Sequence, residues 1–429
     1  MKALRDLITR GRGFLRMLLG RLRNIGSERV TTTCIYCDGP GPFSDEHVFP
    51  AGLGGDDSRY LLKDLVCKNC NSGVFSKPEL VVARRGPEAL ARLFLQPEGR
   101  GSGKKASIPS LQTEVTTFID PETRLVYEAT LLAGGTPLVL PQVVFAGNRL
   151  GLTGPSVEGI DALLHCLKAT LQDEVCLIRK DAKAAKSEYL VQHYRWCNDS
   201  YELERSESCE KPPKLGIWRE DLRVPESPVP EARYVARLFR RPEGQLVLRV
   251  LPNIDVGLHI SVLRQDLPNL RVSADVPAES VERPSMHLGL SFDVSALPRV
   301  LAKVGVNFLC HEFGDRYVRH PAFDEVKRAI LTGSEAVQYR LVPENDPVHQ
   351  LFASVSPKLH IVMIAGDVGP AGKTLLMAFM RLYGGPVHAV KLAEGNLRKV
   401  SPLFFTVDYE KHQIQRYDIT EWAQTYPSV

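Results

Sequence analysis

Four cysteines, set two by two, constrain this chain more than anything else in its 429 residues. Cys34-Ile-Tyr-Cys37 and Cys67-Lys-Asn-Cys70 are Cys-x-x-Cys pairs with twenty-nine residues between them. Two such pairs supply the four thiolates of a closed tetrahedral zinc site, each pair forming a knuckle whose tight turn aims two sulfurs at one ion. The separation exceeds the roughly 15–20 residues of a plain zinc ribbon, so a segment is inserted between the knuckles. It holds His47, the only histidine before His165. The other five cysteines (Cys166, Cys176, Cys197, Cys209, Cys310) stand singly. That pattern speaks against a secreted disulfide scaffold and for a reducing compartment, so the expected location is cytoplasmic.

The insert has its own chemistry. It reads Ser44-Asp45-Glu46-His47-Val48-Phe49-Pro50, then Gly52, Gly54 and Gly55, and returns through the apolar stretch Tyr60 to Val66. A carboxylate beside an imidazole places a hard oxygen ligand next to a base that titrates near neutrality. On an extended segment neighbouring side chains point to opposite faces, so Glu46 and His47 need a twisted or bulged backbone to act on one phosphate. After Cys70, Asn71 opens a polar start that leads into a helix expected over Pro78 to Arg85. The order is strand, loop, strand, helix, with zinc at the base.

These residues resemble the HNH (His-Asn-His) endonucleases of the ββα-metal fold, in the branch whose zinc knuckles flank a Glu-His-Val-x-Pro signature and end in Cys-x-x-Cys-Asn. The likeness covers residues 34 to about 80. It implies that His47 is the general base that activates water. Glu46 takes the metal-binding acidic position, and Asn71 is the second metal ligand. Asp45 is an alternative to Glu46, and Asn69 to Asn71. The implied reaction is hydrolysis of a nucleic-acid phosphodiester, with double-stranded DNA the favoured substrate, by one Mg²⁺ or Mn²⁺ at the site and structural Zn²⁺ on the four cysteines. The family's middle Asn, which orients the base, has no evident counterpart; Leu62 lies near its expected place, and Asp64 is the nearby polar candidate on the expected strand Leu61–Val66. The alternative is a catalytically inactive zinc-stapled module that binds nucleic acid or protein.

Other signals fail on spacing. Gly372-Lys373-Thr374 suggests a phosphate-binding loop, but Asp367 stands where its first glycine must be. The segment reads instead as strand Leu359–Ala365, a turn through Gly369-Pro370, and a strand from Leu375. His311-Glu312 begins like a zinc-protease motif, yet Asp315 replaces the second histidine. His193, Cys197 and Cys209 make only three metal ligands, so a non-ligating role is expected.

Composition places the remainder. Hydrophobic residues at 44% and charged residues at 24% give a sizeable core and exclude global disorder. No run approaches the roughly 20 apolar residues that span a bilayer. The net charge of +4 sits at one end: residues 1–30 carry Lys2, Arg5, Arg10, Arg12, Arg16, Arg21, Arg23 and Arg29 against Asp6 and Glu28. Residues 1–29 read as a basic amphipathic arm with leucines at helical spacing. Its uses range over DNA phosphates, an anionic membrane, organelle targeting, or packing on the body. The nuclease-like domain spans 30–95, a Gly/Ser/charge-rich linker 96–106, and an α+β body 107–340. A strand-rich region, 341–429, closes the chain. The body's strands include Val126–Leu132, Leu138–Phe145, Tyr234–Phe239 and Leu246–Val250, and a helix runs near Ile160 to Leu171. It ends in a helical hairpin, Leu297 to Gly333, broken at Gly314. Lys303, Asn307 and Phe323-Asp324 loosely resemble a helical element of bacterial proteins that carry N-terminal HNH modules, and packing roles are expected for them. The body is also the surface expected to meet a protein partner. The fold class expected for the whole is α+β.

Overall fold

The computed structural model describes residues 33–96, 111–113, 115–147, 149–181, 188–222, 224, 230–271, 285–369 and 372–427. The basic arm 1–29, and the linker 96–106 apart from Gln96, lie outside these residues. The chain is mixed α+β, as its patterning predicts. None of the helices among the described residues is long and apolar enough to cross a membrane.

Two compact units emerge, and they do not follow the linear order expected. Described residues up to Leu80 join those from Val294 onward, while Val81–Asp293 form the second unit. The helical hairpin therefore belongs with the cysteine module and the C-terminal strands, not with the body ending at 340. The reason is visible in the helix Ala296–Phe313, whose Val300, Val304 and Phe308 are fully buried. Gly305 lets this helix lie directly on the C-terminal sheet. A Cβ there would stand 2.7 Å from Leu392 and 3.3 Å from Ala378.

That sheet has six antiparallel strands, in the order 339–341, 387–395, 374–381, 359–368, 400–408 and 413–417. On its other face Trp422 of the helix Ile419–Thr425 packs with Phe352, Ile361, Met363 and Phe404. Burial on both faces explains why the run Leu359 to Ala365 is almost continuously apolar. Val368 pairs with Thr374, so the Gly-rich segment is a hairpin turn and no phosphate loop forms.

In the second unit, eight strands run in the order 200–209, 188–197, 174–181, 217–221, 246–250, 237–240, 142–146 and 149–153. The helices Val157–Thr170 and Val256–Asp266 cover one face through Leu163, Leu167, Ile260 and Leu263. Ser156 and Asp255 cap them by accepting from the amides of Gly159 and Gly257. The stretch read as one strand, Leu138–Phe145, is two. Pro137–Val139 completes a four-stranded sheet and Gln142–Ala146 joins the eight-stranded one, with Pro141 between them lacking the amide that would continue a ladder.

The loop after His47 is held by the C-terminal sheet. Pro50 to Gly54 makes a tight turn with Gly54 at φ +94°, and any Cβ on Gly54 would collide with the Tyr409 backbone at 2.5 Å. Nε2 of the fully buried His360 donates to the Leu53 carbonyl at 3.0 Å, and Nδ1 accepts from the Tyr383 amide at 3.1 Å. Burial pushes the His360 pKa down to about 3, with the Leu53 bond partly opposing it. The folded ring stays neutral while the unfolded one protonates below its ordinary 6.5, so stability is present above that pH and lost as pH falls towards 3. Each pH unit within that window is expected to remove up to about 1.4 kcal/mol. Denaturant melts from pH 7 to 4 should show this slope, and His360→Asn should flatten it. A slope equal in the variant would assign the acid sensitivity elsewhere.

Candidate metal centre and catalytic strand

The first knuckle turns tightly because the Asp38 amide donates to the Cys34 carbonyl at 3.0 Å and Cys34 N–H to Gly39 at 2.9 Å, with Asp38 at φ 54°. In the second, the amides of Cys67 and Cys70 donate to the sulfurs of Cys34 and Cys67 at 3.4 and 3.5 Å. The metal-binding atoms of Cys34, Cys37, Cys67 and Cys70 all lie within 4.8 Å of one another. Cys37 and Cys67 sulfurs are 3.7 Å apart, which matches the edge of about 3.8 Å that a tetrahedron with Zn–S bonds of about 2.3 Å requires. Hydrogen bonding from Cys70, then from backbone amides, outweighs burial and holds Cys34 down at about 4, while the same contact drives Cys70 upward. Four cysteines so arranged fit a metal ion such as zinc.

Between the knuckles, β1 (Glu46–His47) pairs antiparallel with β2 (Leu61–Leu62), Glu46 opposite Leu62 and His47 opposite Leu61. No bulge interrupts the pair, so the two side chains take different faces. Glu46 is 2% exposed, whereas the His47 side chain keeps 27%. The His47 ring reaches Asp57, with Nε2 2.8 Å from a carboxylate oxygen. Asp56, just before it, accepts from the amides of Ser58 and Arg59 at 2.8 Å and from the Ser58 hydroxyl at 2.9 Å. These bonds outweigh burial and keep its carboxyl below the usual range. Asp56 thereby shapes the turn that presents Asp57. Asp64 lies past the short ladder at φ 56°, so the pairing that orients His47 comes from Asp57 and not from that position.

Glu46 meets a different environment. Its carboxylate is paired with the ammonium of Lys303, which also holds Glu79, and it accepts from the Asn307 amide at 3.2 Å. The same amide donates to the His47 carbonyl at 3.1 Å, and the Tyr36 hydroxyl donates to the Asn307 oxygen at 2.6 Å. Burial raises the Glu46 pKa against the pull of Lys303. Lys303 is itself raised because its two carboxylates outweigh its own desolvation. A carboxylate enclosed in this way does not fit the metal-ligand role that the family resemblance gives Glu46. Lys303 and Asn307 are thus not merely packing residues. Their signal in the sequence is a pair of polar side chains four residues apart within the otherwise apolar stretch Val300 to Cys310.

Asn71 follows Cys70 in a π-helical stretch, Asn69–Phe75, that runs into the helix Ser76–Arg84. Its amide nitrogen donates to the Ser44 hydroxyl at 3.1 Å and the Asp45 carbonyl at 2.9 Å. Asn71 is therefore joined to the strand entry beside the exposed Asp45, and its amide oxygen is the atom suited to a cation. Asn69, its rival, is exposed and its side chain lies against Gly73. The C-terminal half further anchors the module where Arg319 donates to the hydroxyl and carbonyl of Thr33. Compared with protein-family models, curated proteins and solved structures, the chain matches none.

Proposed function

We propose that residues 33–80, completed by the helix Ala296–Phe313, form an HNH-type endonuclease site that hydrolyses phosphodiester bonds, with double-stranded DNA as substrate. The observation that supports it most is the imidazole of His47 held at 2.8 Å by Asp57 beside a four-cysteine cluster fit for structural zinc. An ionised aspartate only accepts, so Nε2 of His47 carries the ring proton and Nδ1 keeps the lone pair. His47 then takes the proton of a water as its oxygen attacks phosphorus. The P–O3′ bond breaks, and the 3′ oxygen leaves with its electron pair and takes a proton from solvent, giving a 5′-phosphate and a 3′-hydroxyl. Asp57 stabilises the imidazolium in the role the family gives to an Asn. Asn71 and Asp45 would hold a divalent cation, in place of the enclosed Glu46. Mg²⁺ or Mn²⁺, when bound, supplies charge stabilisation to the phosphoryl oxygens.

Positioned general-base catalysis is worth about 10²–10⁴-fold. His47→Ala is expected to lose nicking of supercoiled plasmid by that factor while keeping its zinc, and Asp57→Ala to lose about 10- to 100-fold. Equal nicking by wild type and His47→Ala would overturn the reading. Absence of nicking by both, with zinc bound, would favour a zinc-stapled binding module. The enclosure of Glu46 by Lys303 is the observation on that side.

A further inference from the structure

The eight-stranded sheet of the unit 81–293 carries a second set of reactive groups, which the nuclease reading leaves unused. Cys176, on the strand Glu174–Asp181, sits directly opposite His193 on the antiparallel strand Glu188–Cys197. Its sulfur is 3.3 Å from Nδ1 of His193, and Nε2 of the same ring is 2.9 Å from a carboxylate oxygen of Glu207 on the edge strand Ser200–Cys209. The other Glu207 oxygen accepts from Arg205 at 2.8 Å. The His193 hydrogen bond, helped by Arg205, keeps the Glu207 carboxyl below its usual range, so it is ionised and can only accept. Nε2 of His193 must then bear the ring proton, and Nδ1 offers its lone pair to the Cys176 thiol.

Thiol, imidazole and carboxylate in this order form a nucleophile, its base and the group that orients the base. The set is not a chelate. Sulfur and carboxylate touch opposite nitrogens of the ring, and among the described residues only the Cys34, Cys37, Cys67, Cys70 group brings its metal-binding atoms together. Strand parity places Tyr189 and Trp218 on the same sheet face, their rings edge-on at 5.7 Å. Both are partly exposed and stand farther along that face, across from Lys180 and Ile178.

We propose that Cys176 is a base-assisted nucleophile, a site of covalent modification by acyl or alkyl carbon electrophiles. A bond forms between Sγ and the electrophilic carbon, and the leaving group departs with its electron pair. The thiol proton passes to Nδ1 of His193, whose positive charge Glu207 stabilises. Burial pushes the Cys176 thiol up, Arg205 opposes this, and the carboxylates of Glu174 and Glu207 add to it. The resting group is therefore the thiol, and proton transfer belongs to the attack itself.

The full chain contains its own controls in Cys197 and Cys209, which are likewise partly exposed and lie on the neighbouring strands. Brief treatment with iodoacetamide at neutral pH, followed by site-resolved mass spectrometry, gives each alkylation rate. Cys176 is expected to react at least about tenfold faster than Cys197 or Cys209, and His193→Gln to bring it down to their rate. Glu207→Gln, a change on the exposed edge strand, should slow Cys176 by a smaller factor and serves if His193→Gln folds poorly. A Cys176 rate no greater than the controls, or one unchanged in the folded variants, would overturn the proposal. Neither result touches the nuclease reading, since plasmid nicking is not measured.

Discussion

Replacing Cys34 with serine is expected to release the metal from the knuckle cluster and unfold residues 33–80. Cys34 is fully buried, its sulfur accepts from the Cys67 amide, and its pKa is the one held down to about 4. It is thus one of four sulfurs gathered within reach of a single ion, and a serine hydroxyl is a poor substitute for a soft ligand. Structural zinc in small knuckle domains contributes apparent binding free energies of about 10–16 kcal/mol, far more than a short two-stranded ladder returns on its own. Metal analysis should fall from one zinc per chain to none, with a lowered melting temperature and no nicking. The unit 81–293 has its own core and should keep its transition. Full zinc stoichiometry in Cys34→Ser would remove the knuckle assignment.

Lys303→Met should be nearly as damaging. It leaves Glu46 buried beside Asn307 with no cation, and breaking a buried pair from one side costs about 3–5 kcal/mol. Glu46→Gln should cost less, because Lys303 retains Glu79, which reaches solvent. The double variant Lys303→Met/Glu46→Gln is expected to be more stable than Lys303→Met alone, since both members of the enclosed pair become neutral. Denaturant unfolding of the four proteins reads the coupling. Purely additive losses would mean that the two side chains do not sense each other. Binding of Mn²⁺ separates the roles further: Asp45→Asn should weaken it and Glu46→Gln should not. The reverse result would restore Glu46 as the ligand.

Whatever depends on short spacing was legible in the sequence. The two Cys-x-x-Cys pairs, the parity of Glu46 and His47, and Gly314 and Gly333 as helix stops are local, and the structure places them as patterned. The near-miss glycine loop is likewise the expected hairpin. What escaped is carried by distance along the chain. Asn307 meets the His47 carbonyl across 260 residues, and His360 meets Leu53 across 307; no periodicity reports such a pair. Asp57 escaped for another reason. It follows Asp56 in a polar turn, and only the fold shows that one carboxylate shapes the turn while the other faces the imidazole. The eight-stranded order, with 217–221 parallel to both 174–181 and 246–250, depends on pairings that strand propensity does not encode.

The split of one unit between the two ends of the chain sets a timetable for its synthesis. Leu80 leaves the ribosome long before Val294, with the whole of 81–293 made in between. At about 5–20 residues per second, that interval is on the order of ten to forty seconds. During it the knuckles can gather around their ion, while Glu46, His47 and Leu53 still lack Lys303, Asn307 and His360. The strand that carries His47 therefore gains these partners only after the unit 81–293 has been made. An interrupted translation product would hold all four cysteines and His47, yet lack the helix that fixes them. Termination before the helix Ala296–Phe313 would in this way yield protein whose cysteines can gather while Glu46 and His47 lack their partners.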